Sequence, residues 1–358
     1  MAMFRKGVLL AQHKEPAFSK PIVRFVNPQT DRMTIEREPP ANPARAGVSD
    51  IVEIAQAAGV TDERDGKPLY KKLLRARERA VAVLVDAVDD EPYVSSRIAP
   101  LLQCREEVLG GLALCKQVAQ TTNISFVVYQ SITDQKLGLP RTIGGMPVVR
   151  LRGAYPAPAQ SAKMKMREEK GRRLIVGTGA LIHLYRAVWR AKRQSTTFIT
   201  VAGSCVANPM NLEVSIGLSV DQVLERCGLS AEPTRVVCGG SMTGIAVLDR
   251  DATCVTHTTR AILAFRENKK DALFSCIGCG RCEQVCPAGL NPMYIHRFVE
   301  NSYYANLRLF DAHMCVECGT CSYICPSRLT VAASVAKAKE YALCHFIQPG
   351  EETDELDG

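Results

Sequence analysis

Eight of the fifteen cysteines fall into two runs of identical spacing. The first is Cys276, Cys279, Cys282 and Cys286 followed by Pro287; the second is Cys315, Cys318, Cys321 and Cys325 followed by Pro326. Thiolates select soft transition metals, and Cys-x-x-Cys-x-x-Cys-x-x-x-Cys-Pro is the bacterial spacing that holds a [4Fe–4S] cubane. A cubane needs three thiolates wrapped round one corner and a fourth from elsewhere, and two-residue gaps let a tight loop aim three sulfurs inward. Gly278, Gly280 and Gly319 suit such a loop, because a residue without Cβ lets backbone N–H groups approach sulfide. Two structural zinc sites are the alternative for eight thiols, but zinc motifs come as separated Cys-x-x-Cys pairs rather than as a repeated triple. The chemistry implied is electron transfer.

Where two such runs share a domain, the fourth cysteine of each serves the other cluster. Cluster one would then use Cys276, Cys279, Cys282 and Cys325, and cluster two Cys315, Cys318, Cys321 and Cys286. Ile277, Val285, Val316 and Ile324 are expected to exclude water. His296 and His313 are expected on helix surfaces, since each run already supplies four thiols. The other cysteines, Cys104, Cys115, Cys205, Cys227, Cys238, Cys254 and Cys344, sit among apolar neighbours and read as reduced core residues. No catalytic residue is assigned.

The elements that must position these runs follow from texture. Residues 1–47 are rich in proline and charge and read as an extended arm. Residues 48–193 alternate helix and strand: helix over 50–58, strand over 80–88, helix over about 99–119, strand from Ile124, then a loop-rich basic stretch leading to LIVGTG and a helix over 180–192. Residues 194–255 give β, β, α, β in short pieces, a small β-grasp-like domain. Residues 256–347 are helices flanking the cysteine runs, and the acidic tail 348–358 reads as disordered.

Net charge is +8, concentrated at 150–193, where twelve Lys or Arg face only Glu168 and Glu169. Such a block could steer an acidic redox partner or an anionic membrane surface, or form a solvated face and loop. It lacks interleaved stacking aromatics and the layout of a nucleic-acid reader, so no nucleic acid is expected. The longest apolar stretches, such as 80–85, fall far short of the roughly 20 residues a membrane span needs. The apolar run in MAMFRKGVLLAQHKEP is too short for a secretory signal. A cytoplasmic location is expected, with peripheral attachment to a membrane complex compatible with it.

Beyond the runs, the sequence resembles the C subunit of the Rnf electron-transport complex. That family's relatives include the cobalamin reductase of propanediol utilisation, the proline-reductase-associated electron-transfer protein and, more remotely, the NADH-binding subunit of complex I. The resemblance spans roughly residues 48–345. It rests on the tandem runs with their spacer LNPMYIHRFVENSYYANLRLFDAHMC, on TVAGSCVANPMNLEVSIGLSVDQVLERCG followed by GGSMTG, and on DAVDDEPYV. It implies an α/β domain of the FMN- and NADH-binding type, a soluble-ligand-binding (SLBB) β-grasp domain and a ferredoxin-like domain with two clusters. It also implies Asp89 and Glu91 as the acids beside a flavin.

The family's glycine-rich flavin loop should follow Ala58-Gly59-Val60, but the text there is TDERDGKPLYKKL. Only Gly66 and Pro68 echo the pattern, and Asp62, Glu63 and Asp65 stand where a phosphate wants bare N–H groups and no negative charge. A second flavin segment should lie in IVGTGALIHLYRAV, which has Thr178 and Gly179 without the family's Asn. The flavin loop is read as degenerate and FMN is not expected. MFRKGVLLAQHKEPAFSKPI resembles the opening of the family's longer N-terminal segment, so this reads as a short version.

The leading expectation is an electron-transfer subunit without a substrate site of its own, relaying electrons through two [4Fe–4S] clusters. Its partners would be a soluble carrier, ferredoxin or flavodoxin, and an oxidoreductase or membrane complex. The alternatives are a complete FMN-dependent NADH-oxidising subunit and an adaptor whose clusters are structural.

Overall fold

AVLVDA, apolar until Asp86, is the pattern of a strand covered on both faces, and all six of its residues are buried as β2 (Ala82–Ala87). The computed structural model describes residues 20–36, 40, 42–43, 46–129, 139–151, 155, 173–266 and 274–345. The start of the N-terminal arm, nearly half of the basic block and the acidic tail lie outside these. The chain divides into two compact units, Met1–Ala154 with Glu168–Arg266, and Tyr155–Arg167 with Glu267–Gly358.

In the first unit β2 sits between β3 (Ile124–Tyr129) and β6 (Arg173–Gly177), parallel to both, with Val85 opposite Phe126 and Val176. β5 (Met146–Leu151) adds in parallel beside β3, and β4 (Thr142–Ile143) closes the edge antiparallel, giving the order β4-β5-β3-β2-β6. Before this sheet lie a short strand β1 (Val23–Phe25), a one-turn helix α1 (Pro28–Asp31), and helices α2 (Val48–Ala57) and α3 (Leu69–Arg79). Within the sheet region come α4 (Ile98–Gln103), α5 (Arg105–Ala119) and α6 (Thr178–Arg190).

The single helix expected over about 99–119 is two, because Cys104 adopts φ −107°, ψ 35° and breaks it. Glu106 and Glu107 in the first turn of α5 suit the positive end of its dipole. Gly111 of α5 lies against the backbone of α6, where a Cβ would come 2.1 Å from the Leu181 carbonyl oxygen. Gly111→Ala must therefore push two helices apart in a buried core. It is expected to lower stability by about 1–3 kcal/mol, checked by chemical denaturation.

The second sheet of this unit starts from an antiparallel hairpin, β7 (Thr196–Ala202) with β8 (Met210–Ser215), both almost wholly buried. Helix α7 (Val220–Cys227) follows. Its start is fixed by a capping box: Ser219 Oγ accepts the Gln222 N–H at 3.2 Å and Gln222 Oε1 accepts the Ser219 N–H at 3.0 Å. After β9 (Arg235–Cys238) and β10 (Ile245–Ala246), β11 (Ala261–Phe265) returns to the centre, parallel to β7 and antiparallel to β9. The order is β1-β8-β7-β11-β9-β10. Two strands fall outside the stretch read from sequence as this domain. The central β11 lies beyond residue 255, and β1, in the expected arm, pairs in parallel with β8.

In the second unit the described elements are helical: α8 (Arg281–Gln284), α9 (Pro292–Glu300), 3-10 turns at Tyr304–Leu309 and Ala312–Met314, α10 (Thr320–Tyr323) and α11 (Val331–His345). Their apolar faces meet in a core of Leu290, Ile295, Val299, Leu307, Val331, Val335 and Ala338, with Cys286, Cys315, Cys321 and Cys325 packed against it.

Candidate metal centre

Each cysteine run folds as a loop into a one-turn helix, and the two loops repeat each other's backbone. Two residues after the first cysteine stand Gly278 (φ 68°) and Glu317 (φ 54°); two further on stand Gly280 (φ 68°) and Gly319 (φ 73°). Three residues after the last cysteine stand Gly289 (φ 66°) and Arg328 (φ 58°). The left-handed turns are thus a property of the loop rather than of glycine, since Glu317 and Arg328 hold them at the strain an L residue carries there.

The loops enclose two cavities. One is lined by Cys315, Cys318 and Cys321 of the second run and by Cys286 of the first. The other is lined by Cys276, Cys279 and Cys282 with Cys325. The sulfurs surround spaces rather than meeting at a point: among the described residues no three His, Cys, Asp or Glu side chains converge closely enough to hold a single ion.

Hydrogen bonds reach the sulfurs directly. The Leu290 N–H donates to Cys286 Sγ, the Glu317 N–H to Cys315 Sγ and the Thr320 hydroxyl to Cys318 Sγ, each at 3.3 Å. Lys339 ties the second loop to α11, donating to the Cys315 carbonyl at 2.9 Å and to Glu317 at 2.7 Å, and Tyr155 donates to the Cys318 carbonyl at 2.7 Å. Burial, helped by the neighbouring Cys318 and Cys315, pushes the Cys321 thiol up to about 12, and burial also raises Cys315 and Cys282. Metal capture must therefore release protons here. Removing the Thr320 hydroxyl should destabilise the reduced, more negative state of a cluster in that cavity. Thr320→Val is expected to shift its potential downward by tens of millivolts without loss of iron, as read by EPR-monitored redox titration.

Several expected positions differ. His296 is buried, lines the second cavity and hydrogen-bonds Ser334 through Nδ1 at 2.8 Å, because its face of α9 packs on α11. Ile277 lines the same cavity yet is 69% exposed, so it shields that site on one side only. Val285, Val316 and Ile324 are half-buried. All seven remaining cysteines are free; Cys115, Cys205 and Cys227 are buried, whereas Cys254 and Cys344 are exposed. Sequence reasoning missed Thr320, Lys339 and Tyr155; Thr320 alone had a local signal, standing inside the second run.

The residues that the flavin resemblance singled out lie in the first unit, around the C-terminal ends of β2 and β6. Asp89 accepts the Arg97 and Ile98 N–H groups, both at 2.9 Å, at the start of α4. Glu91 is buried and accepts from the Met242 N–H at 2.7 Å, from the Thr243 N–H at 3.2 Å and hydroxyl at 2.5 Å, and from Arg260 at 3.2 Å. Glu63 accepts the N–H groups of Gly179 at 2.8 Å and Ala180 at 2.9 Å. Burial of its carboxyl, with the charge of Asp62, pushes Glu63 up to about 7 against the pull of Arg97 and of the Glu63 and Gly179 N–H groups. Burial also opposes ionisation of Asp86, but Arg64 at 2.6 Å and Arg97 at 3.7 Å outweigh it and hold this carboxyl at about 2.

Comparison with known proteins places both cavities in one recognised module: residues 275–330 match the 4Fe-4S dicluster domain, and residues 198–246 match the SLBB domain. The chain is 29% identical over 288 residues to the C subunit of the Na(+)-translocating ferredoxin:NAD(+) oxidoreductase complex of Acetobacterium woodii, covering 76% of this chain and 65% of that one. It is 27% identical over 283 residues to the C subunit of the ion-translocating oxidoreductase complex of Rhodobacter capsulatus, covering 72% and 53%. Against the C subunit of the proton-translocating ferredoxin:NAD(+) oxidoreductase complex of Clostridium ljungdahlii it is 24% identical over 325 residues, covering 84% and 69%. The chain thus spans between half and about two thirds of the length of these relatives. Its fold is similar to a chain of an NAD+-reducing [NiFe]-hydrogenase, with a TM-score of 0.56 at 14% identity over 98% of this chain and 71% of that one. No helix among the described residues is long and apolar enough to cross a membrane.

Proposed function

This chain is a homologue of the C subunits of ion-translocating oxidoreductase complexes, the Rnf family, and from that premise we propose that it is an iron–sulfur electron-transfer subunit working through two [4Fe–4S] clusters. One cluster is held by Cys276, Cys279, Cys282 and Cys325, the other by Cys315, Cys318, Cys321 and Cys286. The observation that carries the reading is the pair of cavities, each ringed by three thiols of one run and the fourth of the other. Iron–sulfur clusters supply one-electron exchange; the chain supplies thiolates, N–H and hydroxyl donors to the sulfurs, and an apolar floor from Leu290, Val331 and Val335. Crossed ligation makes the clusters neighbours, so electrons pass between them.

The α/β and β-grasp parts serve as scaffold and docking surface without a flavin of their own. The donor and acceptor are a soluble carrier of the ferredoxin or flavodoxin kind and a partner oxidoreductase or membrane complex, with the chain attached peripherally on the cytoplasmic face. Anaerobic purification with iron, sulfide, zinc and flavin analysis tests this. The expected result is about eight iron and eight sulfide per chain, since each cubane holds four of each, and no stoichiometric FMN. Tightly bound FMN at one per chain would sink the flavin-free part, and zinc in place of iron would sink the whole.

A further inference from the structure

We propose that the first unit fills its own cofactor-phosphate position: the carboxylate of Glu63 sits where a flavin mononucleotide would place its phosphate, and this closes the α/β sheet to that cofactor. The inference rests on the flavin-free reading above and supplies its physical cause.

In an open parallel sheet, ligands bind beyond the C-terminal ends of the strands, and phosphates seek helix N-termini there. β6 ends at Gly177 and α6 starts at Thr178, so the first free N–H groups of a 13-residue helix face this position. Both oxygens of Glu63 take them, one from Gly179 and one from Ala180. The fit is close: a Cβ on Gly177 would come 2.1 Å from Glu63 Oε1, and one on Gly179 would lie 3.1 Å from the same carboxyl group.

In the preceding loop three backbone donors are already taken. The Arg64 N–H is taken by Asp62 Oδ1 at 3.0 Å, the Lys67 N–H by Asp65 Oδ1 at 3.1 Å, and the Gly66 N–H by the Asp62 carbonyl at 2.9 Å. The nearby cations are committed as well. Lys72 pairs with Asp62 at 2.6 Å and Asp65 at 2.7 Å, while Arg64 and Arg97 pair with Asp86. A dianionic phosphate would meet three carboxylates and no unpaired donor among these groups.

The test compares the full-length, cluster-loaded protein with its Glu63→Ala variant at pH 8. FMN binding is followed by fluorescence quenching, and thermal unfolding by circular dichroism with and without sodium formate or inorganic phosphate. The wild type should bind no FMN, and its melting temperature should ignore both anions. The variant should melt lower and recover several degrees with formate or phosphate, which reoccupy the vacated cradle. FMN binding to the wild type at one per chain overturns this inference and the flavin-free reading together. A folded variant that no anion rescues overturns the inference alone. If the variant does not fold, hydrogen exchange of the wild-type segment 177–182 decides. Protection unchanged by phosphate or FMN supports an internal occupant, and added protection overturns it.

Discussion

Cys286→Ala is expected to lower the iron content from about eight to about four per chain, and the cluster lost should be the one belonging to the other run. The substituted residue lies in the first run, but its sulfur lines the cavity of Cys315, Cys318 and Cys321. The cluster on Cys276, Cys279, Cys282 and Cys325 keeps all four thiols, so its EPR signal should persist. The reciprocal Cys325→Ala should reverse the pattern. If Cys286→Ala removes the first run's cluster and spares the second, crossed ligation is wrong.

Glu91→Ala should cost about 3–5 kcal/mol of the first unit's stability, the range for removing one partner of a buried, hydrogen-bonded charge. The carboxylate is buried between the turn after β2 and the GGSMTG loop of the second sheet, where it receives two N–H groups, a hydroxyl and Arg260. Removing it strands those donors and leaves Arg260 with Asp89 and Asp90 alone. Gly240→Ala should have a similar effect, because its new Cβ would fall 1.9 Å from Glu91 Oε2. Equilibrium urea unfolding followed by far-UV circular dichroism checks both, and a change under about 1 kcal/mol for either would refute the account. Cluster content should not change in either variant while it stays folded.

The site was more legible in the sequence than the frame around it, for a physical reason. Ligand spacing is a local property, and both cysteine runs can be read without any partner. The strands of the α/β sheet were also legible where burial on both faces leaves a mostly apolar run, as in AVLVDA and ISFVVY. Strand β1 has three residues and no such run; its pairing with β8 bridges nearly two hundred residues of chain and leaves no trace in VRF. Helix α3 begins inside TDERDGKPLYKKL, the segment read from sequence as a degenerate flavin loop. The same charges proved informative once placed. Asp62, Glu63 and Asp65 read as three repulsive groups in sequence, whereas in the fold each has its own donor. His296 could not be distinguished from a surface histidine because its partner Ser334 is one helix away.

The interleaving of the two cysteine sets also bears on how the protein matures in the cell. Neither cavity closes until Cys325 and the turn after it have left the ribosome, so neither cofactor can be completed on a nascent chain that has exposed only its first run. Insertion of either must therefore wait until the second run has emerged.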